Sequence, residues 1–352
     1  TMPRALEVRE GLTVVVGWDK GLVRAPTATD RAAGFLAVNW PLLLPFGVFA
    51  GMFSLWRRRG RDPRDLPVSV QYEPPDTMSP AEVGTLLDQS ADMRDITATL
   101  VDLAVRGYVR IEETVDESLF GLVKNREYVF HRVKPREEWP SLLPHEWRVL
   151  SGVFRGDAGR VALSDLRNEF YRELPGIRTA LMERLVERGY YPSRPDTVRG
   201  RWMAGAFATG FVSVLLGILV SPHIGLTPVP FIVGGLASAA IVAFFGWHMP
   251  ARTVAGARVR EKVLGFGEFL ERVDGDRLRT VVKTPEMFER FLPFAMAYGV
   301  EKNWASAFEG IYREPPGWYA GPRLGRFDMG HFSSSLADMS TRTGSVMASA
   351  PR

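Results

Sequence analysis

The chain has 352 residues, 44 Lys and Arg against 40 Asp and Glu, no cysteine and five histidines far apart in sequence. The missing cysteine excludes a disulfide framework, a thiolate metal site and a cysteine nucleophile, and a near-neutral mean hydropathy excludes a many-span transporter. The net charge of +4 is concentrated in arginine blocks beside apolar runs, a pattern that sets membrane orientation before it suggests a nucleic-acid partner.

Residues 1–34 open with TMPRALEVREGLTVVVGW, which lacks the basic start, apolar core and cleavage site of a secretory signal. Leu12, Val14 and Val16 alternate, and Gly17 and Gly21 punctuate, so the stretch predicts one or two strands. A lone strand pair is marginal in water. The segment therefore reads as the remnant of an extracytoplasmic β-domain whose earlier part is missing, followed by a polar linker, APTATDRAAG.

Residues 35–56 carry no charge and are long enough to cross a bilayer as a helix. Gly47 and Gly51 sit on it at helical spacing. Arg57, Arg58, Arg59, Arg61 and Arg64 follow at once and place the next segment in the cytoplasm. Residues 57–135 predict a first winged-helix-like unit. An extended linker with Pro74 and Pro75 leads to a helix capped by Ser79, with Pro80 first and Glu82 completing a capping box. Ile96, Leu100, Leu103 and Ala104 then mark a second helix, Gly107 ends it, and Tyr108, Val109 and Ile111 start a strand that EYVFHRV pairs. Residues 136–200 predict a second unit of helix, short strand, a helix capped at Ser164, and a third helix. That third helix ends in Leu185, Arg188, Gly189, Tyr190, in the spacing of Leu103, Arg106, Gly107, Tyr108.

Residues 202–220 and 229–249 are two further uncharged runs joined by a short turn. Arg199 and Arg201 precede the pair and Arg252 follows it, so both ends of this hairpin fall on the cytoplasmic side. Residues 250–332 predict a cytoplasmic C-terminal helical unit: an amphipathic helix with Val259, Val263, Phe266, Phe269 and Leu270 on one face, favoured to pack on the other units, then a helical stretch broken near Pro293 and Gly299. Residues 333–352, small and polar, predict a disordered tail.

The fold class expected is thus a mainly α membrane protein with three transmembrane helices, cytoplasmic winged-helix-like α+β units and a remnant of an N-terminal extracytoplasmic β-domain. The bacterial inner membrane is the expected location, with the N-terminus outside and residues 57–201 and 250–352 in the cytoplasm.

The strings RRGRDP, VQYEPPD, MSPAEVGTLLD, RDITATLVDLAVRGYVRIEE, GFGEFLE and FERFLPFAMAYGVEKNWASAFEGI resemble the bacterial membrane-protein family known as domain of unknown function 2207. The resemblance runs from about Val14 to Phe332 with the motifs in order. It implies a signal peptide and an extracytoplasmic β-domain upstream, and it implies no activity and no catalytic residues.

The residues themselves point to no enzyme. There is no phosphate-cradling G-x-x-x-x-G-K-[ST] and no G-x-S-x-G elbow. Gly265 and Gly267 read as packing residues, Asp92, Asp95 and Asp102 as a solvated face, and His248 as an interfacial side chain. No catalytic, cofactor or metal residue is assigned. Functionally the pattern favours a non-enzymatic scaffold or signal relay whose partners are the lipid bilayer and cytoplasmic proteins. A membrane-tethered winged-helix DNA-binding regulator is the alternative; nucleic acid is the disfavoured partner because the would-be reading helices balance Arg94, Arg106, Arg178, Arg184 and Arg188 against Asp95, Asp102, Glu183 and Glu187. Arg57, Arg58, Arg59, Arg61, Arg199, Arg201 and Arg252 are expected to set topology. Gly107 and Gly189 are expected to need positive φ, with Phe291 and Trp304 anchoring the last helical unit.

Overall fold

Thr27 caps the first helix: the Asp30 amide donates to its hydroxyl at 3.2 Å while its own amide donates to the Asp30 carboxylate at 2.9 Å. The stretch expected as a polar linker is therefore a helix start. The computed structural model describes residues 13–17, 26–63, 67–118, 123–272, 284–309, 311, 314–321 and 328–351. Residues 13–17 form no strand, and the rest of the expected β-remnant, with Arg64, lies outside the described residues.

In chain order the helices of the first half are α1 (Ala28–Asn39), α2 (Leu44–Leu55), α3 (Pro80–Asp88) and α4 (Met93–Val105). Strands β1 (Val109–Ser118) and β2 (Val123–Arg132) follow, then α5 (Pro144–Val153), β3 (Arg160–Ala162) and α6 (Leu174–Glu187). The second half holds α7 (Pro195–Leu219), α8 (Pro228–Trp247), α9 (Val254–Arg272), α10 (Pro285–Tyr298), α11 (Glu301–Ser306), β4 (Tyr319–Ala320) and α12 (Met329–Met347).

Among the described residues, three helices are long and apolar enough to cross a membrane: the rod Ala28–Gly60, α7 and α8. The rod tightens to a 3-10 turn at Trp40–Leu43, where Pro41 has no amide to donate, and widens to a π turn at Trp56–Gly60. The chain divides into two bodies, one of Thr1–Gly51 with Gly205–Val242 and one of Met52–Ala204 with Ala243–Arg352. Inside the first body small residues let helices touch. A Cβ added at Gly234 would meet the Pro41 carbonyl at 2.3 Å, and one at Gly235 would meet Ser213 Cβ at 1.9 Å. Phe46, Phe207, Phe211 and Leu236 stay exposed, as lipid-facing side chains would be.

The second body has one core. Leu100, Val109, Phe130, Val149, Leu181, Phe266, Phe291, Trp304 and Met339 belong to the same buried cluster. Strand β3 pairs antiparallel with β2, and the sheet order is β3-β2-β1-β4, with β4 parallel to β1. The segment expected as a helix capped at Ser164 is instead two 3-10 turns, Leu163–Leu166 and Phe170–Arg172. The backbone folds left-handed at Asn168 between them, which stops an α-helix from continuing. The amphipathic helix expected after the hairpin is α9, and it packs: Val259, Val263, Phe266, Phe269 and Leu270 are all buried. Pro293 lies within α10 without ending it; Gly299, at φ 74°, ends it.

The expected disordered tail is corrected by α12. Phe332, Leu336, Met339, Thr343 and Val346 recur at three- and four-residue steps and are buried against the core, with Met347 beside them. Asp328 caps this helix, and its carboxylate accepts from the His331 amide at 2.8 Å. Small hydroxyl residues fill many of the other positions and disguise the stripe.

Candidate functional site

Two helices of the second body begin with the same pattern, Pro80-Ala-Glu82 in α3 and Pro144-His-Glu146 in α5. Each glutamate sits three residues after its cap and turns back onto it. The Ser79 amide donates to Glu82 Oε2 at 2.7 Å, and the Leu143 amide to Glu146 Oε2 at 3.0 Å. Two other helices end alike. In α4 the Gly107 amide donates to the Ala104 carbonyl and the Tyr108 amide to Leu103; in α6 Gly189 donates to Val186 and Tyr190 to Leu185. Both are Schellman endings, and Gly107 and Gly189 each stand at φ 75°, as their spacing predicts.

The arginine before each of these glycines crosses to the other pair's glutamate. Arg106 Nη1 and Nη2 donate to Glu146 at 2.7 and 3.3 Å, and Arg188 Nε and Nη2 donate to Glu82 at 2.8 and 3.3 Å. The carboxylates are buried, with side chains 2% and 0% exposed. The result is a pair of reciprocal locks, α4 to α5 and α6 to α3, in which each carboxylate has a charged partner and a backbone partner. Arg184 Nε lies 3.4 Å from Glu82, and Arg106 also pairs with Asp102 at 2.8 Å. Arg188 further donates to the carbonyls of Asp76 and Thr77, whose φ angles of 52° and 53° are left-handed, and Tyr190 donates to the Asp76 carboxylate at 3.0 Å.

His145 lies between the locks, fully buried, with Nε2 3.2 Å from Ser79 Oγ. Burial pushes its pKa down to about 4, with Arg106 and Arg184 adding to the effect and Glu82 opposing it, so the ring is neutral near pH 7. Burial also pushes Asp102 up to about 6 despite Arg106. Asp95, expected on a solvated face, is buried: its carboxylate accepts from the Asp92 amide at 3.0 Å and the Thr85 hydroxyl at 3.3 Å. Gly84 makes room for it, since a Cβ there would come within 1.9 Å of the carboxylate. Desolvation holds Asp95 well above the usual carboxylate range.

The arginines expected to set topology divide into two groups. Arg57, Arg58, Arg59, Arg61 and Arg201 are exposed. Arg252 is buried and Arg199 half-buried, and both hold the C-terminal end of α3. Arg252 donates to Asp62 through its amide and Nη1, each at 2.7 Å, and through Nη2 to the carbonyls of Leu86 and Leu87 at 3.1 and 3.4 Å. Arg199 donates to the carbonyl and side chain of Gln89, both at 3.3 Å, with its guanidinium 5.1 Å from the Trp247 ring centre. Phe291 and Trp304 anchor an aromatic cluster as expected. Their ring centres are 6.0 Å apart, the Trp304 ring lies tilted with its centre 4.8 Å from that of Phe308, and its indole donates to the Phe288 carbonyl at 3.2 Å. Gly265 and Gly267 are packing residues, lying against Ser69 and Tyr298.

Residues 69–308 match the family model described as predicted membrane protein (DUF2207) C-terminal domain. The chain belongs to this family. No curated protein and no solved structure matches it. The DUF2207 match spans both locks and both arginines that hold α3, while Asp62 and α12 lie outside it. Glu146, His145 and Asp62 were not singled out from the sequence, and Glu82 was read there only as a capping residue. The usable signal was the doubled Pro-x-Glu, which pairs with the doubled Arg-Gly-Tyr.

Proposed function

We propose that this membrane protein is a non-enzymatic scaffold or signal relay that links an extracytoplasmic domain to cytoplasmic partners. In this reading it is a multi-pass protein of the bacterial inner membrane, with the N-terminus outside and residues 57–201 and 250–352 in the cytoplasm. The exposed arginines at 57–59, 61 and 201 support that orientation. One observation carries the relay: Arg199 and Arg252, which flank the apolar pair α7 and α8, both grip the C-terminal end of α3, while Glu82 at its other end sits in a lock. A shift of the α7 and α8 ends would pass along one short helix to the α6 lock.

In the same reading α3, α4, β1 and β2 form a winged-helix-like unit used for protein contact. The DNA alternative loses support from burial. Helix α4, the would-be reading helix, is covered from Asp95 to Val101 and packs against α3, α5, α10 and α12. In α6, Arg178 donates to the Ala91 carbonyl and Arg188 to Glu82, which leaves few cations for phosphates. Crosslinking in native membranes, with the full chain tagged at its C-terminus, should recover a reproducible set of envelope or signalling proteins. Recovery of DNA with transcription proteins, or a hydrolytic or transfer activity abolished by one polar substitution, would overturn the reading.

A further inference from the structure

Within the second body the ends of the three apolar helices meet. A Cβ added at Gly60 would lie 3.0 Å from Met249 Sδ, and one at Gly246 would lie 2.3 Å from Trp202 Cβ. Beside this junction is a cleft of about 300 Å³, walled by Leu55, Val198, Trp202, Met249 and Pro250 and reached by Arg59. Arg59 is the one charged side chain among the described residues of its lining. It is exposed and forms no ion pair among the described residues. Nearby acids are already engaged, Asp62 by Arg252 at 2.7 Å and Asp196 by Arg194 at 2.6 Å. Arg57, Arg58, Arg61 and Arg201 add exposed positive charge around it.

Apolar walls with a single unpaired guanidinium call for a ligand that is anionic at one end and apolar at the other. A soluble anion would leave the walls unused, whereas a lipid whose acyl chains follow the apolar helices presents its phosphate at this level. The volume is at the small end for ligand sites and suits a headgroup with its glycerol. Trp202 is the residue type that favours that depth. We propose that the cleft binds one anionic glycerophospholipid, with its phosphate on Arg59 and its glycerol and first acyl carbons against Leu55, Val198 and Trp202.

Native mass spectrometry of the full chain, titrated with phosphatidylglycerol or phosphatidylcholine, tests this. One phosphatidylglycerol should bind in preference to phosphatidylcholine, and Arg59→Gln should weaken it about ten-fold, the loss of a charge-assisted contact. Arg58→Gln, the same charge change outside the lining, should leave it unchanged. Val198→Trp fills the cleft without altering charge and should abolish the bound lipid. Equal weakening by Arg58→Gln and Arg59→Gln would mean a diffuse arginine belt and overturn the site. So would a lack of headgroup preference, retention of the lipid in Val198→Trp, or displacement of the lipid by inorganic phosphate at equal concentration.

Discussion

Replacing Arg106 with methionine removes both hydrogen bonds from Glu146 and leaves a carboxylate, 2% exposed, with only the Leu143 amide as partner. Breaking a buried pair from one side costs roughly 3–5 kcal/mol, because the remaining charge cannot be resolvated. The Arg106 side chain is itself 37% exposed, so the lower end applies, about 3 kcal/mol. For a body of this size that corresponds to a loss of about 10 °C in melting temperature. Glu146→Gln keeps the shape and the acceptor for the Leu143 amide. The Arg106→Met, Glu146→Gln double variant should therefore recover stability relative to the sum of the singles, with a coupling of about 2 kcal/mol. Melting followed by tryptophan fluorescence, on the full chain in one detergent, reads all four corners of the cycle. A single-variant shift under about 2 °C, or strict additivity, would refute the lock.

Gly107→Ala and Gly189→Ala should each cost about 1 kcal/mol in the same melts, because both sites have φ 75° and nothing within 4 Å of an added Cβ. A much larger loss at one site would show packing there that the backbone does not explain. His145 resists its proton until about pH 4 when folded, whereas the unfolded chain takes it near 6.5. Acidification from pH 6.5 towards 4 therefore lowers the stability of the wild type relative to His145→Gln by roughly 3 kcal/mol. Asp102, with its folded pKa raised to about 6, acts in the opposite direction in both proteins and cancels in that difference. A pH-independent difference in urea midpoints would remove the buried neutral imidazole. Met339→Ala in α12 should cost roughly 2–4 kcal/mol, as for a buried large-to-small change, and no loss would return residues 333–352 to disorder.

What the sequence discloses here is local. The apolar helices follow from uncharged runs of bilayer length, the α3 start from Ser79, Pro80 and Glu82, and the α4 and α6 endings from Gly107 and Gly189. The locks escaped because Arg106 reaches Glu146 across 40 residues and Arg188 reaches Glu82 across 106, distances at which no periodicity speaks. The contacts of Arg252 escaped for a related reason. An arginine after an apolar run has the same local signature whether it faces the membrane surface or is drawn inward by Asp62 and the Leu86 carbonyl. In α12 the tally of serines and threonines concealed a stripe of five large side chains, since composition ignores spacing.

The most direct measurement is hydrogen–deuterium exchange of the full chain in lipid nanodiscs, comparing the wild type with Arg252→Gln. If the clamp at one end of α3 is coupled to the lock at the other, amide exchange should quicken through residues 80–88 and on into 174–190. Faster exchange confined to residues 249–256, with α3 and α6 unchanged, would contradict the relay.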